Sequence, residues 1–367
     1  MQYCFLIIII ILFNLRAVGQ VDSNLYSFFV AGHVYGRPGV NNTGFHPPFK
    51  QKFNYIQNRD EIKFGFLTGD IVSPNPNIQD WNEIDSDITE LGIPVHFAVG
   101  NHDMENRDLY ESRYGITYYY FMFQNDLFIA LDPNIDEWNI SGMQLDFLKK
   151  TIDNNYLSSD NIYVFFHQIL WRESDNQFSY IKYNSSSGRG DSINFWDEVE
   201  PIFHNLPNQV FMFSGDLGAS WSSDVTYDQY DNITLISTGM GDENGENFII
   251  VNVHLNKQIN YELICLSDTH NFCLGDLTSY QTLDGKKGNN SSQLVLFPNP
   301  ATNYIVVKLN SITPSIVRIY SLQGQLILEE EIYNYKKTIS VAHIPKGMYF
   351  LSVLNNSTES VVKFILE

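Results

Sequence analysis

Five apolar, aromatic-rich runs recur along the first part of the chain, each stopping at a glycine or a polar residue. They are YSFFVAG (26–32), KFGFLTG (63–69), PVHFAVG (94–100), NIYVFFH (161–167) and QVFMFSG (209–215). Runs of this length, nearly free of charge and bounded by turn residues, predict strands buried on both faces. Between them the period changes. FKQKFNYIQNRD (49–60) and WNEIDSDITELG (81–92) space their apolar residues as helices do, and Gly92 suits a helix C-cap. SGMQLDFLKKTIDNN (141–155) opens with Ser141 and Gln144 at capping-box spacing. A helix over 191–206 is expected to kink or end at Pro201. TYYYFMFQNDLFIALD (117–132) reads as a hairpin turning at Gln124-Asn125-Asp126. Strand-like runs return at 233–239, 247–255 and 259–266. Strands alternating with helices, plus a hairpin, predict an α/β fold of layered mixed β-sheets flanked by helices.

The pattern changes again towards the C-terminus. DGKKGNNSSQ (284–293) is polar and patternless, which reads as linker. Short strands separated by turn signals then predict a small all-β sandwich, with no catalytic cluster in it. At the other end, an apolar block from Cys4 to Phe13 leads into the small residues Ala17-Val18-Gly19. That block is short for a membrane span and reads as a cleaved signal peptide. No later segment is apolar for long enough to cross a bilayer. The expected organisation is therefore signal peptide 1–19, main domain 20–267, linker 268–293 and C-terminal β-sandwich 294–367.

Composition narrows the function. The 367-residue chain has 42 acidic and 22 basic side chains, a formal net charge of −20. A surface this acidic repels nucleic acid and anionic membranes. It repels phosphate too, so phosphate chemistry here needs local positive charge, most simply a metal ion. Of the three cysteines, Cys4 leaves with the signal peptide. Cys265 and Cys273 are spaced for a small disulfide loop, which an exported protein can form, though spacing alone does not establish it.

The strand ends carry the chemistry. They present His33 in AGH, Asp70 in TGD, Asn101, His102 and Asp103 in GNHD, His167 in FFHQ, and Asp216 in SGDLG. In open α/β sheets the carboxyl ends of strands border the ligand crevice, and amide, imidazole and carboxylate groups together suit a divalent metal. Taken singly, each has a plainer explanation. A lone Gly-Asp is usually a turn, and His33 or His167 alone is more often a hydrogen-bonded core histidine. His96, His204, His254 and His270 have no motif around them and read as structural. GNHD is more specific, because it packs three ligand or proton-transfer groups into consecutive positions.

These endings, in this order, resemble the calcineurin-like metallophosphoesterases, whose blocks run D-x-H, G-D, G-N-H-[DE], a lone His after a strand, and G-H-x-H. The resemblance spans about residues 26–255 and is strongest at Gly69-Asp70 and Gly100-Asn101-His102-Asp103. It implies hydrolysis of phosphate esters, monoesters or diesters, with one or two divalent ions (Mn, Fe, Zn or Mg). Two blocks depart from the pattern. Ala31 stands where D-x-H has its Asp, and G-H-x-H becomes Gly215-Asp216-Leu217-Gly218. By the resemblance, one ion keeps only His33 and Asp70. The other keeps Asp70, Asn101 and His167, with Asp216 replacing a nitrogen ligand by oxygen. The extra carboxylate favours Mn, Fe or Mg over Zn. His102 is implied to sit at the leaving-group oxygen as a proton donor, with Asp103 orienting it. Arg37 and Tyr35, just after the first block, are candidates for contacting the phosphate.

The C-terminal region resembles a sorting domain of the type IX secretion system, on LFPNPATNYIVVKL, VRIYSLQGQLI and IPKGMYFLSV. It implies the type IX secretion machinery as a partner and a secreted or cell-surface location. Two readings follow: a secreted metal-dependent phosphoesterase, or a catalytically impaired binding protein on the same fold.

Overall fold

The computed structural model describes residues 24–367 apart from 38–42, 205, 219–221, 242–244, 267–275, 282–293, 298, 310–314, 323, 333–335 and 356–357. The expected signal peptide, Cys273 and His270 lie outside the described residues, as does most of the expected linker. In chain order the main domain runs β1 (Asn24–Ala31), α1 (Pro47–Lys50), α2 (Phe53–Gln57), β2 (Ile62–Thr68), α3 (Ile78–Leu91) and β3 (Val95–Ala98). It continues with α4 (Arg107–Tyr114), β4 (Tyr119–Phe123), β5 (Asp126–Ala130), α5 (Gly142–Asn155) and β6 (Asn161–Phe165). Then come α6 (Glu200–His204), β7 (Gln209–Leu217), β8 (Thr226–Tyr230), β9 (Ile233–Gly239), β10 (Asn247–His254) and β11 (Ile259–Cys265).

These strands form two mixed sheets, ordered β11-β10-β1-β2-β3 and β4-β5-β6-β7-β9-β8. The sheets pack face to face on an aromatic layer. Phe28 stacks on Phe64 with ring centroids 5.4 Å apart and meets Phe128 and Tyr163 edge-on. Phe66 stacks on Phe165, and Phe165 on Phe213. Offset stacking and edge contacts of this kind add to the area these rings bury. The outer faces are apolar as well. Phe29, Ala31 and Leu67 pack with Trp81, Ile84 and Leu91 of α3, while Ile129, Val164 and Met212 pack with Leu145, Leu148 and Ile152 of α5. Burial on both faces explains why the strands read as continuous apolar runs rather than alternating ones.

The helices follow their local chemistry with informative exceptions. Asn77 caps α3, its Oδ1 accepting from Gln79 N (2.8 Å) while the Asp80 carboxylate accepts from Asn77 N (2.8 Å), and Gly92 closes the helix at φ 72°. The capping box expected at Ser141 and Gln144 does not form. Gln144 is buried and turns inward, its Oε1 accepting from Asp132 N (2.7 Å) and its Nε2 donating to Asp132 O (3.0 Å). Pairing two buried main-chain groups outweighs capping one exposed N–H. The expected helix over 49–60 is two short ones, α1 and α2. Pro201 opens α6 rather than ending a helix, after a π-turn over Phe195–Val199; its missing N–H costs little in a first turn. The two-residue turn at Gln124 and Asn125 joins β4 to β5, with Gln124 at φ 51°.

Within the stretch read as linker, a turn of 3₁₀ helix at Leu277–Tyr280 buries Leu277 and Tyr280 in the layer between the sheets. The C-terminal region is all-β, with sheets β12-β13-β16 and β15-β14-β17-β18. These are β12 (Leu294–Phe297), β13 (Tyr304–Leu309), β14 (Ser315–Ser321), β15 (Leu326–Ile332), β16 (Lys336–Ser340), β17 (Gly347–Asn355) and β18 (Thr358–Leu366). Ile305, Val307, Val317, Ile319, Leu351 and Phe364 share one core. No helix among the described residues is long and apolar enough to cross a membrane.

One surface tie sets an acid limit. Arg59 holds Glu262 with two hydrogen bonds, 2.6 and 2.7 Å, and Asn252 Nδ2 adds a third at 2.7 Å. Burial raises the Glu262 pKa, but Arg59 and Asn252 outweigh it, and the net shift is downward. A lowered folded-state pKa means the contribution is fully present above the ordinary glutamate value and is lost as pH falls from there through the lowered one. Thermal unfolding followed from pH 7 to pH 3 is expected to lose stability below about pH 4.5, the ordinary value. Glu262→Gln should show less of that acid loss; an unchanged acid limb would refute the assignment.

Candidate metal centre and relation to known proteins

Strand register decides which side chains meet. β1 and β2 run parallel with Ala31 opposite Leu67, and β2 and β3 with Thr68 opposite Ala98. In the other sheet Phe165 lies opposite Phe213. The residues just beyond these pairs leave the sheets at one edge, where the two sheets touch backbone to backbone. A Cβ on Gly215 would lie 1.8 Å from Thr68 O, and one on Gly32 2.5 Å from the Gly215 Cα. Only glycine fits there. Gly215→Ala is expected to destabilise the fold by about 1–3 kcal/mol, as overpacking does. Chemical denaturation would measure this, and an unchanged midpoint would show that the sheets can move apart freely.

The convergence brings together His33, Asp70, His102, His167 and Asp216. His33, Asp70, His167 and Asp216 are fully buried, while the His102 side chain keeps 15 % of its surface. Asp70 is the hub. Its Oδ1 lies 3.4 Å from His167 Nε2 and accepts from His102 N at 3.2 Å. Its Oδ2 lies 3.4 Å from His102 Nδ1 and 3.6 Å from His33 Nε2. Asp216 Oδ1 lies 3.7 Å from His167 Nε2. Asp70 and His33 both sit at positive φ, 48° and 55°, a strained conformation for non-glycine residues that is found preferentially at functional sites.

The remaining sequence candidates have different surroundings. Asp103 is buried beneath the site. Its Oδ1 accepts from Ile71 N (2.9 Å) and Val72 N (3.1 Å), and its Oδ2 from Gly100 N (2.7 Å). Both oxygens are thus occupied by main chain rather than by His102. Asn101 is half-buried in the turn after β3, next to Gly100, whose backbone abuts Asp70. Tyr35 is buried with its ring 4.6 Å from His33 and 5.3 Å from His102. Arg37 is exposed, beyond Gly36. His96 stacks on Phe121 with centroids 4.1 Å apart, away from this cluster. One residue here escaped the sequence reading. Asn184, in a loop with no motif, places Nδ2 2.7 Å from His33 Nε2.

Residues 33–199 match the calcineurin-like phosphoesterase family, and residues 295–367 match the secretion system C-terminal sorting domain. The chain thus matches a calcineurin-like phosphoesterase over part of its main domain and a secretion sorting domain at its C-terminal end. The sorting domain directs the protein through the type IX system to the cell surface. No curated protein matches the chain. Among solved structures, a purple acid phosphatase from yellow lupin seeds is similar, with 13% identity and a TM-score of 0.42. That likeness covers 86% of this chain, which spans about half (53%) of the lupin chain. The protein TT1561 of Thermus thermophilus is similar at 9% identity over 65% of this chain and 98% of its own, with a TM-score of 0.35. A DUF3244 family protein with an immunoglobulin-like β-sandwich fold from Bacteroides vulgatus matches 20% of this chain and 83% of its own. Its identity is 22% and its TM-score 0.19.

Members of the phosphoesterase family use divalent metals, which raises the question of whether this donor set suits one. Among the described residues, no three His, Cys, Asp or Glu side chains close on one point as a ready-made metal site. His167 lies between Asp70 and Asp216, and the chemistry of that set suits a cation. His167 Nδ1 faces Thr68 O at 2.9 Å, so that nitrogen carries the proton. Nε2 then faces two carboxylates, a position for a second proton or a metal ion. Its contacts of 3.4 and 3.7 Å are too long for charge-assisted hydrogen bonds. They lie near the ligand–ligand edge of about 3.4 Å that tetrahedral bonds of 2.0–2.1 Å produce. Asp70 Oδ2, His102 Nδ1, His167 Nε2 and both oxygens of Asp216 are buried with no hydrogen-bond partner. Buried polar atoms in proteins are nearly always paired, so five orphans within this one cluster mark a place for a ligand. The His167–Thr68 contact is also the usual outer support of a metal-bound histidine.

The ionisation pattern agrees. Burial lowers the His167 pKa, yet Asp70 and then Asp216 outweigh it and raise it to about 10, so without an ion Nε2 holds a second proton, which a metal would replace. Burial raises Asp70, but His167, His102 and His33 hold it well below the carboxylate range. Burial and Asp70 push Asp216 far up, against His167 and the Ser185 N–H, which acts on it without an aligned hydrogen bond. Burial and Asp70 likewise bring Asp103 up to about 7, despite its main-chain donors. Protons on His167 and Asp216 thus offset the buried negative charge in the absence of an ion, and a divalent ion would take their place.

Proposed function

We propose that the domain hydrolyses phosphate esters outside the cell, monoesters or diesters, with one divalent ion held by Asp70, Asn101, His167 and Asp216. The observation that carries this reading is His167 Nε2 facing Asp70 and Asp216 among buried, unpaired polar atoms. An ion of this kind activates water and offsets charge on the phosphoryl oxygens. The residues around it divide the remaining tasks. His102, on the solvent side, is anchored through its N–H to Asp70 and keeps its imidazole Nδ1 free of a hydrogen-bond partner. It is the proton donor to the leaving oxygen. Tyr35 backs His33 and His102 and fixes their rings. Arg37 is the proposed cation for the phosphate in an otherwise acidic protein. We assign Asp103 a positioning role, holding the GNHD turn against β2.

The test is a panel of phosphomonoesters and diesters assayed on metal-stripped protein with Mn, Fe, Zn or Mg restored. Turnover that chelator abolishes and metal restores is expected. Ala31 and Gly218, which remove donors at two family positions, support a second reading as a non-hydrolytic binding protein. Metal binding without turnover on any ester in the panel would favour it.

A further inference from the structure

With one ion held by Asp70, Asn101, His167 and Asp216, something else must stand where the family's second ion would be. We propose that the Asn184 side-chain amide takes that place, capping His33 and making the centre mononuclear; this rests on the one-ion reading. His33 Nδ1 lies 2.9 Å from Met240 O. A carbonyl only accepts, so Nδ1 carries the proton and Nε2 the lone pair. Asn184 Nδ2 donates to that lone pair at 2.7 Å. Reversing the amide would set its oxygen against the Nε2 lone pair, so the hydrogen-bond pattern assigns the orientation. The one nitrogen with which His33 could bind an ion is therefore in use.

Two of that ion's other donors are missing as well. Ala31 offers no ligand atom. At Gly218 a Cβ would lie 1.8 Å from Met240 O and 2.3 Å from Met240 N, so no side chain can replace the family's histidine without moving the backbone. The same main-chain carbonyl thus fixes the His33 tautomer and blocks position 218. The Asn184 loop is tied to the end of β7 and the segment after it. Asn184 N donates to Asp216 O (2.8 Å), Ser223 N to Lys182 O (2.8 Å) and Lys182 N to Ser223 Oγ (3.1 Å). Asp216, proposed as a ligand of the remaining ion, also holds through its carbonyl the residue that displaces the other. His33 then packs beside Asp70, 3.6 Å away, and is no ligand.

The experiment is Mn²⁺ stoichiometry by equilibrium dialysis on the full chain and on Asn184→Asp. An aspartate there cannot donate to His33 and sets a carboxylate beside His33 and Asp70. Wild type is expected to bind one Mn²⁺ per chain and the variant two. One in the folded variant would overturn the cap and leave the one-ion reading standing, whereas two in the wild type would overturn both. No Mn²⁺ bound to the wild type would overturn the one-ion reading itself, and the cap with it. Should Asn184→Asp fail to fold, ¹⁵N-histidine NMR of the wild type decides. On adding Zn²⁺ the His167 Nε2 resonance is expected to move as a bound ligand does, with His33 unchanged. A matching shift at His33 Nε2 would overturn the proposal.

Discussion

Asp70→Asn is expected to lower kcat/KM for a phosphate ester by about three orders of magnitude, the kinetic equivalent of the several kcal/mol that metal-assisted charge stabilisation supplies. Bound divalent metal should be lost in parallel. The substitution keeps the shape and removes the charge at the point where the cluster meets. Asp70 alone contacts His33, His102 and His167. Without its charge, His167 loses the first-ranked of the influences that raise its pKa. Stability need not fall with activity, because the uncharged side chain no longer needs a cation in a buried site. The check is steady-state kinetics with metal quantification and thermal melting on the same preparation. Activity within tenfold of wild type at full metal occupancy would remove Asp70 from the ligand set.

Asp103→Asn is expected to act mainly on stability, with a loss of about 2–4 kcal/mol. The carboxylate accepts three main-chain hydrogen bonds with two oxygens, both buried. An amide has one oxygen. In either orientation its NH₂ faces an N–H, either that of Gly100 or those of Ile71 and Val72, leaving one or two buried donors unpaired. Each unpaired donor costs about 1–3 kcal/mol. The metal turn should loosen as a result, so metal affinity falls with the melting temperature. Were Asp103 instead orienting His102, the variant would melt like the wild type, keep its metal and lose turnover. Thermal melting and metal titration together separate these outcomes. The contacts favour the first, since no oxygen of Asp103 is directed at His102.

Much of this was legible along the chain. The buried strands were readable because burial on both faces leaves uninterrupted apolar runs, as in Val210–Phe213. The polar residue ending each run was readable because a buried strand has little other reason to stop at a carboxylate or imidazole. Helix boundaries were less legible. Ser141 and Gln144 have capping-box spacing, yet Gln144 is drawn to the main chain of Asp132, twelve residues away. Strand β8 escaped notice because TYDQY has too little apolar content to stand out, although three of its residues are buried. Asn184 could not have been picked out. Its role depends on the tautomer of His33, set by a carbonyl 207 residues away in sequence.

The sequence by itself determined the α/β class, the C-terminal β-sandwich, the secretion route through its sorting domain, and the set of residues able to meet at strand ends. Those follow from period, turn chemistry and motif, all local properties. The tertiary structure alone decided which lone pairs face which charges. It tied Asp103 to main chain, aimed His167 Nε2 at Asp70 and Asp216, and put Asn184 on His33. The physical reason is that a hydrogen bond or metal contact depends on distances of a few tenths of an ångström. Register between strands and the backbone contact of two sheets set those distances, and neither is written in the order of residues along one strand.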